Sequence, residues 1–264
     1  MPELFDVKMR ALRRDRAART GVELFLHERA FADCLERLEL MQQRFSNALL
    51  IGCPDPAWPG RLRIFCETVD VRDPGELFGH SAGGSALVED AWLPPQQAYD
   101  LVLSIGTLDT VNDLPLALRL IGHALRPGGL LIGAMAGGDT LPRLRESMRA
   151  ADLADGGVAP HVHPRIEPAA LAPLLADAGY ANPVVDIDRV SLSYASLDAL
   201  VRDLRGMGAT NVLRARPRFI GKAALAAAGK HFAAAGEDGR TTETVELLHF
   251  AAWTPDKPAR PLTV

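Results

Sequence analysis

The sequence predicts an α/β protein: a largely parallel sheet with helices on both faces. Three observations predict it. Strand-like apolar runs alternate with helical periodicity through the first half of the chain, the pattern of a covered parallel sheet. The run "ALLIG" ends in Gly52-Cys53, where a strand would turn toward a ligand. The 264 residues, 48% of them apolar, are enough to bury a full core.

Taken in order, "VKMRALRRDRAAR" is Arg-rich and is read as a surface helix with its apolar residues on one face; a transit peptide is the alternative. Helical periodicity from Glu23 to about Arg44 precedes the strand "ALLIG". The strands "LRIFCETV", "SALVED" and "YDLVLSIG" follow, then the helix "LPLALRLIGHAL", stopped at "RPGG" because Pro127 cannot continue it. A fifth strand is "LLIGAMAG". Helices are expected over Leu141–Leu153, Pro168–Ala178, Leu197–Met207 and Lys222–Ala235. The last strands are "NPVVDIDRVSLSY" and "TVELLHFAAW", and the helices between them suit a lid over the sheet edge. One domain is expected over 1–264: N-terminal helices in 1–46, core sheet in 47–138 and a helical lid insertion in 195–243.

Composition narrows the partners. A formal net charge of -4 gives no reason to expect a nucleic-acid surface. Cys34, Cys53 and Cys66 form no CxxC pair and read as reduced thiols of a cytoplasmic protein. No apolar run reaches the roughly 18 residues of a membrane span.

The stretches "YDLVLSIGTLDTVNDLPLAL", "GAMAGGDTLPRLRESM", "APHVHP" and "DLRGMGATN" resemble the methyltransferase-like family of mitochondrial complex I assembly factor five and its bacterial relatives. The resemblance runs from about Phe5 to the "KPARP" tail. A more distant likeness is to the malonyl-carrier-protein methyltransferase of biotin synthesis. The resemblance implies a class I, Rossmann-like S-adenosylmethionine-dependent methyltransferase fold with seven strands. It implies a role in assembling the respiratory NADH dehydrogenase through one of its subunits, and arginine hydroxylation is an activity of the mitochondrial branch.

Against that family, "NALLIGCPDPAWPGRLRIF" is anomalous. An ordinary member reads like "LDLGCGxG", where the Asp holds the cofactor ammonium and a helix begins at once. Here Leu50 stands at the Asp position, and Pro54 and Pro56 replace glycines, removing amide donors. Only about ten residues separate Gly52 from the next strand, fewer than a helical crossover needs, so the first crossover helix is expected to be lost. The segment Pro54 to Pro59 is expected to fill part of the cofactor volume as an irregular loop.

The resemblance places the cofactor at Gly52 and Cys53, at Glu67 or Asp70 for the ribose, at Glu89 and Asp90 for the adenine, and at Ser104, Ile105 and Gly106 under the active site. Asp109 and Thr110 replace a His-Trp pair of usual members. Asp139 with Thr140 reads as a helix N-cap or a family contact. His161, Arg205, Met207 and Asn211 are placed at a partner or substrate surface, or, for Arg205, on the helix end that Gly206 and Gly208 close. His161 and His163 could share one face of an extended segment, but no third ligand accompanies them, so no metal site is expected. Three readings stand together: an active methyltransferase, a silent assembly or binding scaffold, and an enzyme with a changed ligand. The damaged loop favours the scaffold, for which Glu89→Ala is expected to matter little.

Overall fold

Strand β1 (Phe45–Ile51) lies inside the sheet, and its side chains alternate between two cores: Leu50 faces one, Leu49 and Ile51 the other. The computed structural model describes residues 3–216 and 219–256; the "KPARP" tail lies outside them. The other strands are β2 (Cys66–Asp73), β3 (Ser85–Ala86), β4 (Tyr99–Ile105), β5 (Leu125–Gly137), β6 (Ala181–Tyr194) and β7 (Thr241–Trp253). They form one seven-stranded sheet of order β3-β2-β1-β4-β5-β7-β6. The first five strands are parallel, and β7 runs antiparallel to both β5 and β6.

The helices are α1 (Val7–Thr20), α2 (Phe25–Met41), α3 (Trp58–Leu62), α4 (Glu76–Ser81), α5 (Leu114–Ala124), α6 (Pro142–Asp155), α7 (Pro168–Asp177), α8 (Leu197–Gly206) and α9 (Lys222–Ala234). One core packs α2, α8 and α9 on the sheet through Phe31, Leu38, Leu200 and Phe232; the other packs α5 and α7 through Leu118, Ile121, Leu171 and Leu175. As expected from the sequence, α8 and α9 fall between β6 and β7.

Four expectations are corrected. The crossover after β1 retains one helical turn, α3, behind an irregular segment that begins at Gly52. That turn sets Trp58 flat on Phe31, with ring centroids 4.2 Å apart and planes 4° from parallel, so an indole restores apolar area that a longer helix would bury. Strand β2 starts at Cys66, four residues later than "LRIFCETV" suggests, because Leu62 and Phe65 belong to α3 and the turn after it. Strand β3 is two residues long, not the whole of "SALVED". Helix α1 buries Arg10, Arg14 and Asp15 beside Ala17, the reverse of a solvent-facing basic helix.

Candidate functional site

The C-terminal ends of β1, β2 and β4 frame the groove in which this architecture holds a nucleotide. Gly52 leaves β1 at φ +83°, and a Cβ there would lie 2.2 Å from the Ile105 carbonyl oxygen, so only glycine passes. The next amide, Cys53 N–H, donates to Asp73 Oδ2 at 2.8 Å, and Gly75 N–H donates to Asp73 Oδ1 at 2.7 Å. Asp73 is the last residue of β2 and fully buried.

Two arginines of α1 complete the groove. Arg14 donates through Nε and Nη2 to both oxygens of Asp73 at 2.7 and 2.6 Å. One turn earlier, Arg10 donates to both oxygens of Glu89 at 2.7 Å and to the Thr107 carbonyl at 2.6 Å. These are planar, charge-assisted forks, the geometry that distinguishes Arg from Lys. Burial alone would lower the Arg10 value, but the charge and hydrogen bonds of Glu89 outweigh it and hold the guanidinium protonated.

Further contacts fasten the buried face of the helix. Gly208, at φ +69°, and Gly75 let the backbone close on Arg14: an added Cβ would lie 3.1 Å from Arg14 Cα and 2.7 Å from Arg14 Cβ respectively. Asp15 accepts from Leu77 N–H at 2.9 Å, Asn112 brackets the Phe5 backbone, and Asp6 N–H donates to the Val212 carbonyl. "RGMG" is thus partly a seat for α1.

Beside this groove, Asp109 and Arg165 form a buried ion pair. Burial pushes the Asp109 carboxyl up, but Arg165, His163 and Arg10 together hold it below its usual range. His163 accepts from Val212 N–H at Nε2, at 2.9 Å; burial, aided by Arg165, pulls its imidazole down to about 4. Burial and then Arg14 bring His27 to about 4 as well.

The residues singled out in the sequence divide. Gly52, Cys53, Glu89, Ser104, Ile105 and Gly106 surround the groove or its floor, with Ser104 Oγ 3.4 Å from Thr107 Oγ1. Glu67 and Asp70 lie within β2 and are exposed, Asp70 accepting from Tyr99 Oη at 2.8 Å; because the strand runs on to Asp73, Asp73 is the carboxylate at the groove. Asp90 accepts from Asp113 N–H. Asp139 caps no helix: it pairs with Arg145, and the amides of α6 at Arg143 and Leu144 are met by Glu243 from β7. Burial pushes the Glu243 carboxyl up while those amide bonds oppose it. Thr140 is buried, its hydroxyl donating to the Gly137 carbonyl.

His161 bonds Asp152 and His163 bonds Val212, so they do not share a ligand face. Arg205 is exposed, Met207 is buried, and Asn211 donates to the Pro160 carbonyl. On another part of the sheet Asp33, Cys34 and His249 offer ligand atoms within 4.8 Å of one another, a grouping invisible in sequence, but Asp33 already accepts from Arg37 at 2.6 Å.

A family model described as a methyltransferase domain matches residues 22–183, more than half of the chain. The chain belongs to that family. The arginine-hydroxylase NDUFAF5 of Rattus norvegicus is 31% identical over 98% of this chain and 80% of its own length. The Danio rerio protein of the same name is 38% identical over 66% of this chain, a match spanning 56% of that relative. The malonyl-[acyl-carrier protein] O-methyltransferase of Xylella fastidiosa is 34% identical over 60% of this chain and 52% of its own. Among solved structures, the N-methyltransferase NodS of Bradyrhizobium japonicum, bound to S-adenosyl-L-homocysteine, is similar with a TM-score of 0.52 at 17% identity, covering 95% of this chain and all of NodS. These neighbours establish the family's fold: a class I methyltransferase sheet.

S-adenosylmethionine would meet a changed groove here. Leu50 offers no charge to an ammonium group, and the carboxylates of Asp73 and Glu89 are already engaged by guanidinium groups. The residues present do not fit the cofactor while α1 is seated.

Proposed function

We propose that this chain is a non-catalytic assembly or binding protein for a subunit of the respiratory NADH dehydrogenase, located in the cytoplasm and built on a methyltransferase fold whose cofactor site is degraded. The observation that carries the reading is the pair of buried forks, Arg10 on Glu89 and Arg14 on Asp73, set where a nucleotide would need those carboxylates. A cofactor would have to strand two buried guanidinium groups, each a loss larger than the hydrogen bonds it could offer in return. The similarity to NDUFAF5 proteins supports the choice of partner.

Calorimetric titration of the full chain with S-adenosylmethionine and with S-adenosylhomocysteine tests it. The expected result is no saturable binding below the millimolar range; micromolar binding of either would return the active methyltransferase to first place. In parallel, Asp139 and Arg205, both exposed, are expected to affect capture of dehydrogenase subunits when replaced by Ala.

A second reading, an arginine-modifying enzyme, is favoured by one observation: Asp73 and Glu89 are shaped to hold guanidinium groups. Its test is whether an arginine-bearing peptide releases α1, read as new protease cleavage between Val7 and Thr20.

A further inference from the structure

We propose that Asp33, Cys34 and His249 form a site for one divalent cation of the zinc class, held between α2 and β7. The three residues present a carboxylate oxygen, a sulfur and a ring nitrogen, all within 4.8 Å of one another. Ligand atoms of one tetrahedral zinc stand about 3.3–3.6 Å apart, inside that limit. In the sheet His249 is directly cross-strand from Asp186 of β6, which brings a further carboxylate beside it. The site is separate from the groove under α1 and does not depend on what that groove admits.

His249 is the residue that calls for an ion. It is 3% exposed, and its Nδ1 makes no hydrogen bond among the described residues. Yet Nδ1 lies 2.7 Å from Asp33 Oδ2. The separation suits a hydrogen bond, but the alignment does not. Burial holds the imidazole below its usual value, so at pH 7 it is uncharged and one ring nitrogen carries a lone pair. A nitrogen and a carboxylate oxygen crowded together without a hydrogen bond between them are satisfied by a cation that both can bind. On the other side of the ring, Nε2 lies 4.0 Å from Asp188 Oδ2, within reach of a bridging water. A carboxylate in that position orients a metal-bound imidazole.

Charge and donor type decide which ion. Asp33 and His249 open on a surface hollow of about 420 Å³ that Arg29, Glu36, Arg37, Asp186 and Asp188 also line. Its four carboxylates outnumber its two guanidinium groups, an excess of two negative charges that a divalent cation would neutralise. Arg37 Nε donates to Asp33 Oδ2 at 2.6 Å, which uses one of about four lone-pair sites on that carboxylate. The Asp33 side chain is 34% exposed, so it has room for the shift of about half an ångström that a tetrahedral ion requires. Imidazole and thiolate favour Zn²⁺ over Mg²⁺ and Ca²⁺, which take oxygen ligands. In the metal-free chain burial keeps the proton on the Cys34 thiol. On binding, the S–H bond breaks, a metal–sulfur bond forms and the proton leaves to solvent. Water from the hollow supplies the fourth ligand.

Co²⁺ is the probe, titrated into the full chain after treatment with a chelator that is then removed, because a cobalt–thiolate bond adds a charge-transfer band in the near ultraviolet. The expected result is one Co²⁺ per chain with a Kd of about 10 μM or tighter, and a band that Zn²⁺ abolishes and Mg²⁺ does not. Cys34→Ala should remove the band, and His249→Phe and Asp33→Asn should each weaken binding at least about tenfold. Binding weaker than about 10 μM would overturn the proposal. So would a band that survives Cys34→Ala, or an affinity unchanged in His249→Phe. Should these variants fail to fold, X-ray absorption of the cobalt-loaded wild-type chain decides: one sulfur and one imidazole ligand support the site, and any other count of either overturns it.

Discussion

Arg10 and Glu89 meet with almost no water around either side chain: they are 6% and 0% exposed. Removing one partner leaves a buried charge alone, so Arg10→Met is expected to cost about 3–5 kcal/mol in urea unfolding. Pairing it with Glu89→Leu should recover most of that loss, and a double-mutant cycle measures the recovery. The same pair revises the expectation that Glu89→Ala matters little, since that change strands Arg10. Little of this was legible beforehand. Arginine in a basic helix reads as solvated because it is seldom buried unpaired, and its partners stand 59 and 79 residues further along the chain. Gly52, with its apolar strand before it, was legible because a turn there permits little else.

At the scale of elements, long periodic segments were readable: α5, α7, β4 and β6 lie within a residue or two of where apolar spacing puts them. The misreading came at "LRIF", whose strand-prone residues are recruited by α3 and its following turn once Trp58 docks on Phe31. Trp58 also donates to Glu28 Oε2 at 2.9 Å, tying α3 to α2. Trp58→Ala should therefore destabilise the protein by about 3–5 kcal/mol, seen as a lowered thermal midpoint. Gly208→Ala would force a side chain into a left-handed backbone pressed against α1, with an expected cost of about 1–3 kcal/mol in the same assay. Strand β3 covers only Ser85–Ala86 of its apolar run, and Glu89, three residues beyond it, turns inward to Arg10.

Across the whole molecule, buried neutral histidines set an acid limit. His163 and His27 have folded values of about 4 against an ordinary 6.5. Between these values the unfolded chain takes up protons that the folded chain refuses. Stability is therefore fully present above about pH 6.5 and declines toward pH 4, by about 1.4 kcal/mol per pH unit for each histidine. His249, lowered chiefly by burial, acts in the same sense. Urea titrations at pH 7, 6 and 5 should show the decline, and His163→Gln should make it shallower while keeping an acceptor for Val212 N–H. None of this follows from the spacing of "PHVHP". It arises because the lid segment folds back over His163 and encloses it, a contact between residues 49 positions apart.

Asp73 accepts four hydrogen bonds from three separate stretches of chain: two from Arg14, one from Cys53 N–H and one from Gly75 N–H. An amino-terminal helix ordinarily frays first, and its amides exchange fastest. Here α1 cannot peel away without opening a carboxylate that also pins the end of β1 and the entry to α4. Amide hydrogen exchange at Arg14 and its helical neighbours should accordingly proceed at the rate of β1 and β2, through one shared opening of the domain, rather than at the rate of a loose terminus.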